Sequence, residues 1–370
     1  MIYLDNAATT AVRREVLEAM WPHLSGNFGN PSSHHAVGEA AAVALADARA
    51  AAASALSARP SEIVFTSGGT EANNLAIKGI ALGNPRGRHI VTTAIEHEAI
   101  LDSVDYLVRL HGFEVTFAQL DTDGVVTDTA LTSALRPDTT LVSMHHANNE
   151  IGTVQNVSSL AALAHTVGAP FHTDAVQSAG WMNVGLATLG VDALSIASHK
   201  LGAPKGTGIL AVRGSLPIEP LLHGGGQERG RRSGTENVAG AVAIATALGF
   251  RHGPTVRDAL IKGVLAAVPT AFHTGSRSSR LPNHASFCFP GTSGEAVLVE
   301  LERHGIICSS GSACAAGNDE PSHVLLVLGI APEIAQTAVR FTPDDTITLD
   351  EAAFVVARTA DAVRTLTALR

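Results

Sequence analysis

Apolar residues recur along this chain in two rhythms. From about Glu62 onward, short β-branched or wholly apolar runs at 63–65, 89–93, 113–117, 140–144, 170–173, 193–196 and 208–212 predict seven strands. Between most of them the apolar positions repeat at helical spacing, over 70–82, 99–111 and 158–167, and an Ala-rich stretch at 40–58 predicts a further helix ahead of the first strand. Strand and helix in alternation predict βα units on a mainly parallel sheet. In such sheets ligands sit beyond the carboxyl ends of the strands.

After Arg229 the texture changes. A long apolar helix is predicted over 238–250, followed by a helix at 256–267, a strand at 285–289, a helix at 295–304, a strand at 306–308, a helix at 323–328, a strand at 339–342 and a last helix from Leu349. The expected organisation is a large domain over 15–254 and a smaller α/β domain built from 1–14 and 255–370. No internal repeat or low-complexity linker breaks the pattern.

Composition narrows the class. Among 370 residues, 45% are apolar and 16% charged, which excludes disorder. A net charge of −9 offers no field for a nucleic-acid backbone or an anionic membrane, so neither is an expected partner. The longest apolar run, 238–250, falls short of the ~18 residues of a spanning helix. Three cysteines, Cys288, Cys308 and Cys314, are too few and too clustered for a disulfide framework, and the expected compartment is the cytoplasm.

Candidate chemistry centres on lysine, which is scarce: Lys78, Lys200, Lys205 and Lys262 are all there are. Lys78 and Lys262 fall on helices, where a solvated face explains them. Lys200 follows the apolar strand 191–196 and precedes a Gly-rich turn, and two readings stand: an ordinary strand-end lysine, or an amine poised for a Schiff base. Asp174 also ends a strand; it reads either as a helix N-cap or as the carboxylate that keeps a pyridine nitrogen protonated. Ser67-Gly68-Gly69-Thr70 joins a strand to a helix start, where open N–H groups and the Thr70 hydroxyl suit a phosphate. His34-His35 and His145-His146 invite a metal, but adjacent residues point apart and no third ligand is evident. No metal is expected.

Eleven segments, YLDNAATT, GNPSSHH, FTSGGTEANNLAIKG, EHEAI, HANNEIGTVQ, HTDAVQSAG, SHKLGAPKGTG, GGGQERGRRSGTENVAG, LPNHASFCFPG, CSSGSACAAG and PSHVLLVLG, run nearly end to end. Together they resemble the class V group of fold-type I pyridoxal-phosphate enzymes, and specifically the cysteine desulfurases of the NifS/IscS kind. The resemblance implies an α/β fold with a seven-stranded sheet sandwiched by helices and a smaller C-terminal α/β domain. It implies that Lys200 binds pyridoxal 5′-phosphate covalently, that Asp174 pairs with the pyridine nitrogen, that Gln177 reaches the ring hydroxyl and that His97 stacks on the ring and assists proton transfer. Gly69, Thr70, Ser198 and His199 would hold the phosphate, joined by Thr235 of a second subunit in a homodimer. Asn149 and Arg340 would bind the carboxylate of L-cysteine.

Cys314, in the small-residue run 309–317, matches the family's nucleophile: its thiolate would take the substrate sulfur as a persulfide and leave alanine. Acceptor proteins for iron–sulfur assembly or tRNA thiolation would then receive the sulfur. Cys288, alternating with Phe287 and Phe289, reads as a core residue, and Cys308 as structural with a small opening for redox chemistry. Two departures bear on phosphate binding: Ala197 where many relatives have Ser, and Ala203 where Gly is common. Other readings keep the cofactor but make the chain an aminotransferase or a selenocysteine or cysteine-derivative lyase, neither of which needs the SGSAC thiol. Another makes it chiefly a scaffold for iron–sulfur assembly, against which the intact Lys200, Asp174 and Arg340 argue.

Overall fold

The structure is a computed structural model and describes residues 1–83, 85–310 and 321–368. Cys314 therefore lies outside the described residues. In chain order the elements are β1 (Ile2–Tyr3), α1 (Arg14–Ser25), α2 (Ala36–Ala55), β2 (Ile63–Thr66), α3 (Gly69–Gly83), β3 (His89–Thr92), α4 (Glu98–His111), β4 (Glu114–Phe117), α5 (Asp128–Ala134), β5 (Thr139–His145), α6 (Val157–Thr166), β6 (Phe171–Asp174), α7 (Leu186–Leu189), β7 (Ala193–Ala197) and β8 (Gly208–Val212). They continue with α8 (Val238–Leu248), α9 (Arg257–Ala267), β9 (Phe272–His273), β10 (Ala285–Cys288), α10 (Gly294–Arg303), β11 (Ile306–Ile307), α11 (His323–Val327), α12 (Pro332–Ala335), β12 (Ala338–Phe341) and α13 (Leu349–Ala368).

The seven runs expected as strands form one sheet, in the order β2-β8-β7-β6-β5-β3-β4. Only β8 runs against its neighbours, pairing antiparallel with both β2 and β7. Strand periodicity divides the side chains between two cores. Val64, Ile90, Leu141 and Leu210 face α3 and α4, whereas Phe65, Val91, Val142 and Ile209 join the core that takes in α1, α2, α6 and α8. Covering both faces is why these strands read as unbroken apolar runs.

A third core gathers Leu4 of the N-terminal segment with Leu260 and Val264 of α9, Phe287 and Phe289, Leu301 of α10, Phe341 and Val355 of α13. Here β10 sits between β12 and β9, and β1 pairs parallel with β11. Boundary shifts have local causes. Helix α2 starts four residues earlier than the Ala-rich run because the His35 ring accepts the Gly38 N–H at 3.2 Å, an N-cap that composition does not announce. Gly208 opens β8 where a Cβ would meet the Gly68 carbonyl at 2.6 Å, so the glycine permits the close approach of the phosphate-type turn.

Candidate active site

The carboxyl ends of β2, β5, β6 and β7 open into one cavity of about 350 Å³, walled on its far side by Ala7, Ala8 and Arg340. Strand β7 delivers Lys200 through a single 3₁₀ turn over Ser198–Lys200. Its ammonium donates to the carbonyls of Ala7 and Ala8, the latter at 2.7 Å, so the amine is held half-buried at the cavity wall.

Asp174 ends β6 at the buried floor. Its carboxylate accepts the Asn73 amide at 2.6 Å and the Val176 N–H at 2.9 Å. Burial pushes the Asp174 carboxyl up, against those two bonds and the charge of His97. Gln177 lines the cavity and donates to the Ala7 carbonyl at 3.1 Å.

At the opposite end α3 begins directly after the Ser67-Gly68 turn. Gly69 is pressed onto the floor, for a Cβ there would lie 3.0 Å from Val176 and 3.2 Å from Ala197. Gly69 and Thr70 thus present the first turn of a 15-residue helix to the cavity. His199 stands beside them with Nδ1 3.2 Å from the Thr9 hydroxyl; burial, then the charges of Lys200 and Lys205, push the ring down to about 4. Ser198 is not brought in: its hydroxyl donates to the Pro204 and Thr207 carbonyls, and Ala197 takes the place on the wall. Thr235 is exposed and outside this chain's cavity, on a loop whose Arg232 clasps Glu71 in the first turn of α3 at 2.9 Å.

His97 is the N-cap of α4. Its Nδ1 accepts the Ala99 N–H at 3.0 Å, which puts the proton of the neutral ring on Nε2. Arg340 reaches the cavity from β12 and is only 1% exposed; it donates to the Asn149 carbonyl at 2.8 Å and to Asp5 at 2.9 Å. Its Nε is buried with no partner among the described residues. Asn149 lines the same wall.

The cysteines divide. Cys288 is fully buried, and burial pushes its thiol up to about 12. Burial also pushes the Cys308 thiol up, with help from Asp5. Thiolate chemistry is therefore disfavoured at both. The segment bearing Cys314 leaves from Ser309, bonded backbone to backbone with Arg340 at 2.7 Å, and returns at Ser322, whose hydroxyl donates to Glu150 at 2.5 Å. Both anchor points adjoin the cavity wall.

Sequence reading missed Ala7 and Ala8, which act through carbonyls and so have no side-chain signal. It also missed Asn73 and Glu96, and it weighed His145 only as a metal ligand, not as part of this cavity. Asn73, four positions into α3 from Gly69, could have been found by projecting that helix onto the sheet. Among the described residues no three His, Cys, Asp or Glu side chains gather as a metal site.

Comparison with known proteins identifies the family. The model of the aminotransferase class-V family matches residues 2–342. The chain is 44% identical over 351 residues to the cysteine desulfurase IscS of Dictyoglomus turgidum, covering 92% of this chain and 89% of that one. It is 46% identical over 348 residues to a cysteine desulfurase of Cereibacter sphaeroides, with 92% and 90% covered. Among solved structures, a NifS-like protein superposes with a TM-score of 0.91 at 36% identity, covering 99% of this chain and all of that one. SspA in complex with cysteine superposes at 0.84 with 34% identity, covering 93% and 99%. With its mixed seven-stranded sheet, a lysine and a strand-end aspartate lining one cavity, and relatives of this identity over nearly its whole length, the chain belongs to the cysteine desulfurases of the class V aminotransferase family.

Proposed function

We propose that the protein takes the sulfur of L-cysteine onto Cys314 as a persulfide and releases L-alanine, using pyridoxal 5′-phosphate held at Lys200. The observation that carries this reading is the convergence of an amine, a buried carboxylate, a helix N terminus and a guanidinium on one cavity. That donor set fits the cofactor: Lys200 Nζ for its aldehyde, Asp174 for its ring nitrogen, Gly69, Thr70 and His199 for its phosphate, and Gln177 for its ring hydroxyl. When bound, pyridoxal phosphate supplies an electron sink for charge released at the substrate's α-carbon.

The chain's own residues do the rest. The fork of Arg340, whose Nε has no partner among the described residues, binds the substrate carboxylate beside Asn149. Lys200 Nζ, steadied by the Ala7 and Ala8 carbonyls, holds or gives a proton at the wall of the site. His97 offers Nε2–H from above a backbone-fixed Nδ1. The Cys314 thiolate attacks the substrate sulfur; an S–S bond forms as the C–S bond breaks, and its electron pair stays on carbon, which is protonated to the methyl group of alanine. The same reading takes the protein as a homodimer in which Thr235 reaches the neighbouring subunit's phosphate, divides the chain into 15–254 and 1–14 with 255–370, and passes the persulfide to an acceptor protein for iron–sulfur cluster assembly or tRNA thiolation.

The test is borohydride reduction of the purified protein followed by peptide mapping, with alanine and sulfide assays on variants. The cofactor should be trapped on the peptide containing Lys200 and be missing from Lys200→Ala. Cys314→Ala should still bind L-cysteine but release no alanine. Trapping on Lys78, Lys205 or Lys262, or full turnover by Cys314→Ala, refutes the reading.

A further inference from the structure

Alternation along β5 sends its last histidine and the next residue to different sides. His146 turns to the Ser178 hydroxyl, 2.9 Å from Nδ1. His145 instead enters the cavity floor, 4% exposed, and three bonds converge on the carboxylate that holds it. Glu96 Oε1 lies 2.9 Å from His145 Nδ1 and accepts the Thr93 hydroxyl at 2.6 Å, and Oε2 accepts the His145 N–H at 2.8 Å. The ring is therefore fixed with Nδ1–H toward Glu96. Its Nε2 is buried with no partner among the described residues. An unmet nitrogen in such a place is costly unless something entering the site meets it. On the neighbouring strand His145 is the register partner of Asp174, so the two side chains share one face of the sheet.

We propose that His145, clamped by Glu96, is a positioning residue that presents an imidazolium beside Asp174 and keeps that carboxyl ionised, so that a proton shared with a bound pyridine nitrogen rests on the ring. The inference rests on the reading that pyridoxal phosphate binds at Lys200. The charges facing His145 support it. Burial alone would lower the ring, but Glu96, by charge and hydrogen bond, and then Asp174 hold it above its ordinary value. The other neighbours do not compete for the proton: burial and the charge of His145 push His146 down to about 4, and burial pushes His172 on β6 down to about 3. At Asp174 itself His97 favours the ionised carboxyl and the charge of Glu96 opposes it. Backbone position is shared too, since His323 donates to the Glu96 carbonyl at 3.3 Å.

The experiment loads wild type, His145→Gln and His145→Ala with cofactor labelled with nitrogen-15 in the ring, and reads the ring-nitrogen chemical shift across neutral pH together with the cofactor dissociation constant. Wild type should report a protonated ring nitrogen. His145→Gln, which fills the space without the charge, should move the shift toward neutral pyridine and weaken cofactor binding about tenfold, with His145→Ala moving it the same way. A residue that only packed the floor would leave the ring nitrogen untouched. Wild type that reduces onto Lys200 with unmoved shifts in both variants overturns the role of His145 alone; wild type that traps no cofactor on Lys200 overturns the underlying reading as well.

Discussion

A buried ion pair helps to hold the loop between β8 and α8, which carries Thr235, and breaking it has a calculable cost. Glu228 and Arg229 both occupy the left-handed region, with φ of 48° and 59°, a conformation that non-glycine residues keep only where surrounding contacts impose it. The imposing contact is Arg49 of α2, whose two terminal nitrogens meet the Glu228 carboxylate at 2.6 and 2.7 Å. Arg49 also donates to the Ile63 carbonyl at 2.9 Å and lies over the Phe65 ring, and the Phe65 N–H reaches Glu228 at 3.2 Å. The side chains are 12% and 1% exposed. Glu228→Ala would leave a guanidinium buried without its counter-charge, a change that costs about 3–5 kcal/mol. At ~2.1 cal/mol/K per residue, the 370 residues give an unfolding entropy of about 0.8 kcal/mol/K, so the midpoint should fall by about 4–6 °C. Scanning calorimetry on wild type, Glu228→Ala and the pair Arg49→Met with Glu228→Leu measures it. The pair should recover most of the loss, because it leaves no unpaired charge. A Glu228→Ala midpoint within about 1 °C of wild type refutes the argument.

Three further outcomes follow from the same contacts. Arg340→Lys keeps the charge but not the fork shared by Asn149, Asp5 and a carboxylate, so kcat/KM for L-cysteine should drop about 10–100-fold, chiefly through KM, in an alanine-formation assay. Cys288 and Cys308, their thiols raised by burial, should resist iodoacetamide at pH 8 in the native protein, and Cys288→Ala and Cys308→Ala should keep desulfurase turnover. Glu62 is pushed up by burial, but the Arg59 guanidinium and the Arg59 and Gly214 N–H groups overcome this and hold it at about 2. Its folded value is thus depressed, its stabilisation is complete above the ordinary carboxylate range and fades as pH falls toward 2, and denaturant titrations of Glu62→Gln should lack that fading.

What could be read in advance follows from how each residue announces itself. The sheet was legible because two covered faces leave strands apolar throughout, and Lys200 because lysine is rare and this one ends a strand. Ser198 could not be judged from sequence: whether a hydroxyl beside the lysine turns to the cavity or to the Pro204 and Thr207 carbonyls is settled by the turn after β7, not by residue type. The Arg49–Glu228 pair spans 179 positions and joins a helix to a loop, so nothing local marks it. His145 was seen, and strand alternation rightly separated it from His146. Its role needs Glu96, which comes from the loop ahead of α4 and is a neighbour only in the folded chain.

The N-terminal segment shows why the site is a property of the whole fold. Within ten residues, Tyr3 pairs with Ile307, Asp5 holds Arg340, the carbonyls of Ala7 and Ala8 hold Lys200, and Thr9 and Thr10 meet His199 by side chain and backbone. Leu4, between them, is buried in the core of α9, α10 and α13. One extended strip therefore bears on the guanidinium that would take the carboxylate and on the amine that would take the cofactor. A shift of β12 relative to β7 would have to be taken up by the Arg340 and Lys200 side chains or break their bonds at Asp5 or at Ala7 and Ala8. The two ends of the site are in this way tied to one segment whose own place is fixed by burial of Leu4.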